Sequence, residues 1–252
     1  MSDRGLVVML APFGLRPKAT LSRRALPLAA ELVRLGFRVH VLAPSDLWPA
    51  DAGTTVEIDG VLIEHSPRFA GPLALIRSSL WMWRRARALR PALVHLFKPK
   101  GYGGIAAALL RLTPGARRIP LVVDTDDWEG RGGWNDRLPY PAPIKLLIDA
   151  QERGLPRLAD AVTVASLTLA EQVRGFGAPA GRILYLPNGV ALPGRQLPGR
   201  AEARRQLGLG DEPVVLLYTR FLEFALRDVV EFLLALAALR PGARLLVIGA
   251  GE

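Results

Sequence analysis

The chain has 252 residues, half of them hydrophobic, which suits one large α/β domain or one domain with part of another. Its net charge of +10 comes mostly from arginine, since only Lys18, Lys98, Lys100 and Lys145 are lysines; such a surface fits anionic lipid, nucleic acid or phosphate-bearing small molecules. With no cysteine, disulfides, thiolate metal sites and cysteine nucleophiles are excluded, and His40, His65 and His95 lack metal-ligand spacing, so no metal site is expected.

The opening MSDRGLVVMLAPFG is apolar for too short a stretch to be a leader peptide and reads as a first strand, Leu6 to Leu10. No apolar run of about 20 residues follows, so no membrane-spanning helix is expected. The expectation is a cytoplasmic protein, with peripheral contact at the inner face of the plasma membrane. Ser22 is the expected cap of the next helix, whose Ala25, Leu28, Ala29, Leu32 and Val33 share one face, and Gly36 sits where a helix C-cap belongs. Arg38 to Ala43 reads as a second strand. TVEIDGVLIEH reads as a hairpin about Asp59-Gly60.

A helix from Leu73 to Leu89 comes next, then a strand at Leu93–Phe97, a glycine-rich turn and a helix from Gly104. Leu121–Asp126 is a strand, Ile144–Ala159 a helix, and Ala161–Ser166 a further strand; a short helix then leads to RILYLPNG. This alternation predicts a doubly wound, mainly parallel sheet. After Asn188-Gly189 the composition turns rich in Pro and Gly. The expected organisation is a first domain over 1–190, a linker over 191–212, and the start of a second domain over 213–252, with a strand PVVLLYTRF, a helix Val229 to Leu239 and a strand ARLLVIGAGE. Two strands and one helix do not make a stable parallel sheet, so the second domain is read as truncated.

Ligands of doubly wound sheets bind at the carboxyl ends of strands, and those ends carry the candidates. The loop Pro12 to Thr20 leads into a helix and offers backbone N–H groups to an anion near Gly14, with Arg16, Lys18 and Thr20 beside them. His95 to Gly104 gathers Lys98, Lys100, Tyr102 and three glycines, among them Gly101; lysines bind phosphate and glycines let backbone approach a ligand. His95 alternates within its strand, a pattern that also suits a hydrogen-bonded core histidine. Asp124 to Trp134 holds four carboxylates, two tryptophans and three glycines in eleven residues. Carboxylates hydrogen-bond sugar hydroxyls and aromatic faces stack on sugar rings. Arg220, at the end of the first strand of the second unit, is placed to meet a pyrophosphate. The segment IRSSLWMWRRARAL sets Trp81 and Trp83 beside Arg84, Arg85 and Arg87. It suits a membrane interface or an anionic partner as well as a half-buried scaffold helix with a basic face. The basic charge comes with no nucleic-acid recognition motif.

Taken in order, these pieces resemble glycosyltransferase family 4 of the GT-B fold. The resemblance rests on the Gly14 loop, Arg34-Leu35-Gly36-Phe37-Arg38-Val39, LVHLFKPKGYGG, Ala159 to Ser166, Leu186-Pro187-Asn188-Gly189-Val190, and LLVIGAGE. It implies two Rossmann-like domains with the active site between them. It also implies retaining transfer of a sugar from a nucleotide-sugar to a sugar or lipid-linked acceptor, without cofactor or required metal. On that resemblance Gly14, Lys18 and Arg220 meet the donor diphosphate. Lys98, Lys100, Gly101, Tyr102, Trp128, Glu129, Gly132 and Gly133 lie on the acceptor side, and Asp126, Asp127 and His95 are the catalytic candidates. The family's second phosphate-contacting lysine is missing from Glu223-Phe224-Ala225-Leu226-Arg227, and the family's E-x7-E segment would fall beyond Glu252. The alternative is a non-catalytic acceptor- or membrane-binding half of such a protein. A nucleotide-sugar epimerase of the same fold lacks a cluster like 119–134.

Overall fold

The computed structural model describes residues 4–16, 20–189, 194, 196–219 and 226–249. Two compact units divide the chain, residues 1–190 and 191–252. In the first unit β1 (Leu6–Leu10) leads through a π-helical turn (Leu21–Ala25) into α1 (Leu26–Arg34), then β2 (Arg38–Ala43), β3 (Thr55–Ile58), β4 (Val61–His65), α2 (Ala74–Ala88), β5 (Leu93–Phe97) and α3 (Gly101–Leu112). β6 (Leu121–Thr125), α4 (Trp134–Arg137), α5 (Ala142–Leu158), β7 (Ala161–Val164), α6 (Leu167–Gly175) and β8 (Ile183–Tyr185) complete it.

The strands form one sheet in the order β3-β4-β2-β1-β5-β6-β7-β8, parallel throughout except for β3. Asp59 and Gly60 hold φ of 52° and 77°, the left-handed pair of a tight hairpin turn, so β3 returns antiparallel on β4. The parallel strands are near-continuous apolar runs because both faces are covered. Val7 and Met9 of β1 join the cluster under α1, with Leu21, Ala25 and Ala29. Val8 and Leu10 join the opposite cluster, with Met82 of α2 and Ala106 and Ala107 of α3. The chain moves outward from β1 through β2, then returns to pair β5 with β1 on its other side. This reversal puts the switch point, where such sheets bind ligands in a crevice, at the carboxyl ends of β1 and β5, next to β6.

Two local expectations are corrected and a third holds. Ser22 lies inside the helical stretch, since Thr20 already has helical dihedrals. The helix expected from Gly104 begins at Gly101, because Gly101 adopts φ +57° and turns the chain sharply into it. Gly36 ends α1 as expected: at φ 91° it lets Phe37 N–H reach the Leu32 carbonyl at 3.0 Å.

In the second unit, α7 (Arg200–Gln206) lies within the stretch expected to be linker; β9 (Val214–Tyr218), α8 (Leu226–Leu239) and β10 (Arg244–Ile248) follow. β9 and β10 pair in parallel.

Candidate functional site

The carboxyl ends of β5 and β6 bring two loops together. Lys98 sits just past β5 with φ of 57°, a left-handed conformation that costs a non-glycine residue about 1 kcal/mol or more. That turn aims its side chain across to the β6 loop. Its Nζ donates to Asp127 Oδ2 at 2.6 Å and Glu129 Oε1 at 2.8 Å, and lies 3.4 Å from Asp126 Oδ1. Lys100 Nζ reaches the other Glu129 oxygen at 2.5 Å and stands over the rings of Phe13 and Tyr140. Lys98 and Glu129 are each almost fully buried.

Two ammonium groups therefore face three carboxylates. Burial alone would lower the Lys98 pKa, but Asp126, Glu129 and Asp127 more than offset it and hold the ammonium firmly protonated. Burial would raise the Glu129 pKa, and Lys98 and Lys100 outweigh it, so this carboxylate stays below its ordinary range. Asp126 receives least compensation. Burial, together with Asp127 and Asp124 and against Lys98, pushes it up to about 6, and its buried Oδ1 has no hydrogen-bond partner among the described residues. The arrangement leaves one largely buried carboxylate, its side chain 11% exposed, with an acceptor oxygen that no donor satisfies among the described residues.

Two neighbouring residues of α5 fasten the loops. Gln151 accepts Gly101 N–H at 2.8 Å and donates to the Gly101 carbonyl at 3.2 Å. Glu152, 1% exposed, accepts the N–H of Glu129 at 3.0 Å and the N–H of Gly130. Burial drives Glu152 up to about 7. Gly104 and Gly130 are glycines for packing: a Cβ would lie 2.7 Å from Gln151 Nε2 at the first, and 2.4 Å from Glu152 Oε2 at the second.

A second buried group lies beneath. Arg24 projects from the π-helical turn, where Leu26 N–H bonds back to the Leu21 carbonyl and Pro27 has no N–H to close a tighter turn. Its Nε and one terminal nitrogen grip both oxygens of Asp124 at 2.7 Å. Its other contacts are Asn188 Oδ1 at 2.8 Å and the Leu186 carbonyl at 3.1 Å. Thr163 on β7 donates to Asp124 at 2.5 Å.

Of the expected site residues, Asp126, Asp127, Glu129, Lys98, Lys100 and Gly101 come together at this crevice. His95 stacks on Phe97 inside the sheet with ring centroids 4.3 Å apart; full burial pushes it down to about 4, so it is neutral near pH 7. Tyr102 packs against the core, its phenol pushed up to about 12 by burial with Asp46 and Tyr140 adding to it. Gly132, at φ +88°, and Gly133 wrap Trp128: a Cβ at Gly133 would fall 2.1 Å from the Trp128 carbonyl oxygen. Trp128 itself is 41% exposed, and Asp127 also faces solvent. Gly14 lies against β2 and β4, since a Cβ there would be 3.1 Å from the Pro44 carbonyl oxygen. Lys18 and Arg220 lie outside the described residues. Arg24, Gln151, Glu152, Tyr140 and Phe13 were not singled out from sequence; Arg24, Gln151 and Glu152 sit in helical segments where their only signal was an ordinary polar residue on an amphipathic pattern, and Tyr140 and Phe13 sit in irregular stretches. Among the described residues no group of acidic and histidine side chains has metal-binding geometry, and no helix is long and apolar enough to cross a membrane.

A model of the glycosyl transferase 4-like domain matches residues 20–189. No curated protein sequence matches the chain. Among solved structures, sucrose-phosphate synthase from Thermosynechococcus elongatus is 20% identical over 99% of this chain and 63% of its own length, with a TM-score of 0.64. The catalytic domain of starch synthase IV from Arabidopsis thaliana, bound to ADP and acarbose, is 15% identical over 100% of this chain and 69% of its own, with a TM-score of 0.58. Anabaena Alr3699/HepE in complex with UDP and glucose is 17% identical over 97% of this chain and 61% of its own, with a TM-score of 0.58. The chain thus spans less than two thirds of the sucrose-phosphate synthase and of HepE.

Proposed function

The chain belongs to the glycosyl transferase 4-like family and carries the Rossmann-like sheet of a GT-B glycosyltransferase, and from that we propose that it serves in retaining transfer of a sugar from a nucleotide-sugar to a glycan or lipid-linked acceptor. The observation that carries the reading is the family match itself, which spans both loops of the charged crevice. The similar structures named with UDP and with ADP support a nucleoside diphosphate as the donor's leaving group.

In this reading the Asp126 carboxylate accepts the hydrogen bond of the acceptor hydroxyl and fixes its direction, beside Asp127. Lys98 and Lys100 hold Glu129 and keep the charge of the loop near balance, and Trp128 offers a ring face to the acceptor sugar. The family resemblance assigns Gly14, Lys18 and Arg220 to the donor diphosphate; Lys18 and Arg220 lie outside the described residues. The bond from the anomeric carbon to the donor phosphate breaks, the bond to the acceptor oxygen forms on the same face, and the hydroxyl proton passes to the leaving phosphate. Neutral, buried His95 supports the sheet beneath the site and takes no proton near pH 7.

The test is a transfer assay with labelled UDP- and ADP-sugars against a panel of glycan and lipid-linked acceptors. It is run with this chain alone and with the full product that its gene encodes. Label in the acceptor, with the anomeric configuration of the donor kept, supports the reading. Neither binding nor consumption of any nucleotide-sugar by either form overturns it.

A further inference from the structure

The basic face of α2 takes no part in the crevice, and its pattern is specific. α2 carries four arginines and no acidic residue. Leu73, Arg77, Leu80, Arg84 and Arg87 follow one another at spacings of four and three, so they form a single outward stripe. Leu73 and Ile76 are each 51% exposed. Trp81 and Trp83 lie on opposite flanks of the stripe, half-buried against the core. Arg85 is paired with Glu64 at 2.8 Å, and Arg87 covers the Trp83 ring at 4.9 Å. Arg77 and Arg84, by contrast, have no carboxylate within ion-pair distance among the described residues. They border a shallow groove of about 370 Å³ floored by Phe69, Leu80 and Trp81.

We propose that this face docks the protein on an anionic lipid surface, with Arg77 and Arg84 on the phosphate headgroups and Leu73, Ile76 and Leu80 entering the headgroup–acyl boundary. Unpaired positive charge complements an anionic surface, and each basic side chain there favours binding. Exposed aliphatic side chains interleaved with arginine, bracketed by tryptophan, match a bilayer interface. A purely polyanionic partner would leave Leu73 and Ile76 without a use. No described helix spans a bilayer, so the contact is peripheral. Because α2 returns from the carboxyl end of β4 to β5, its Leu73 end lies at the same edge of the sheet as the charged crevice. Docking rests on the helix face alone; only its consequence, presentation of a lipid-linked acceptor to Asp126, rests on the proposed transferase reading.

The experiment is flotation of the purified chain with vesicles of phosphatidylcholine, with and without phosphatidylglycerol, while tryptophan emission is recorded. The native chain floats with phosphatidylglycerol vesicles, its emission shifts to the blue, and both effects weaken with salt. The exposed pair Arg77→Glu/Arg84→Glu, with its circular dichroism checked against native, lowers partitioning by about 30-fold or more. The charge-matched Arg174→Glu/Arg200→Glu leaves it within about twofold. Absence of phosphatidylglycerol-dependent flotation overturns the proposal. So does equal loss in both double variants, which would reflect net charge alone, or binding of single-stranded RNA through Arg77 and Arg84 without vesicle binding. Sugar transfer enters none of these readouts, so failure here and failure of the transferase reading are separate results.

Discussion

Glu152 accepts the backbone N–H of Glu129 at 3.0 Å, so a side chain on α5 fixes the backbone of the residue that both lysines of the crevice grip. The same carboxylate holds Gly130. The shape of the acidic loop is therefore set from beneath, by a group that never faces the crevice.

That group makes stability depend on pH. Burial raises Glu152 from 4.5 to about 7, so the folded chain binds its proton more tightly than the unfolded chain. The associated stability is fully present below about pH 4.5 and is lost as pH rises through about 7. Urea unfolding at pH 5 and pH 8 should show a loss of stability in the native chain that is clearly smaller in Glu152→Gln. An identical pH dependence in the two would mean that Glu152 titrates in the ordinary carboxylate range.

The fork between Arg24 and Asp124 is almost fully buried. Removing one partner leaves the other charge without compensation, which costs about 3–5 kcal/mol. Arg24→Ala should therefore lower unfolding stability by about that amount, and Arg24→Lys should recover only part of it, since an ammonium cannot grip both Asp124 oxygens. Denaturant midpoints measure both; a loss below about 1 kcal/mol for Arg24→Ala would show that the pair is replaceable by solvent.

Asp126, raised to about 6, should leave its mark on the rate of transfer. If its ionised form receives the acceptor hydroxyl, kcat/KM rises with pH through about 6, and Asp126→Asn flattens that limb while lowering the rate by about 100-fold or more. Thermal unfolding of the variant should match native closely, because Asp126 Oδ1 has no hydrogen bond to lose and Lys98, 3.4 Å from it, keeps its bonds to Asp127 and Glu129. A retained acid limb in Asp126→Asn would assign the titration to another group.

Two glycines separate backbone from side-chain crowding. At Gly133 a Cβ would press on the Trp128 carbonyl, so Gly133→Ala must displace the loop and should cost about 1–3 kcal/mol and shift tryptophan emission. At Gly104 the Cβ meets only the end of Gln151, which can turn away. Gly104→Ala should cost less than Gly133→Ala and release the clamp on Gly101, read as faster amide exchange there.

The sheet was legible because its strands are local: apolar runs such as LVVML and LVHLF, and a hairpin announced by Asp59-Gly60. The acidic loop was legible as composition, though not in its inner structure. Arg24 reads in sequence as one more arginine on a basic helix, because its partner Asp124 is a hundred residues away. Gln151 and Glu152 were hidden in the same way, on a helix whose other polar residues are more exposed. Lys98 and Lys100 were found for their charge, but the structure commits both to Glu129, so they order the loop. Ser22 was misread because a capping residue is recognised by type, and here the helix already includes Thr20.

Gln151 and Glu152 are consecutive, and each restrains a different loop. One residue inserted into α5 ahead of them would rotate both by about 100° and free both loops together. Drift in length between Gly133 and Pro141 is absorbed before the helix begins. Among homologues, insertions should therefore collect in the turn ahead of α5, while the spacing within the helix stays fixed.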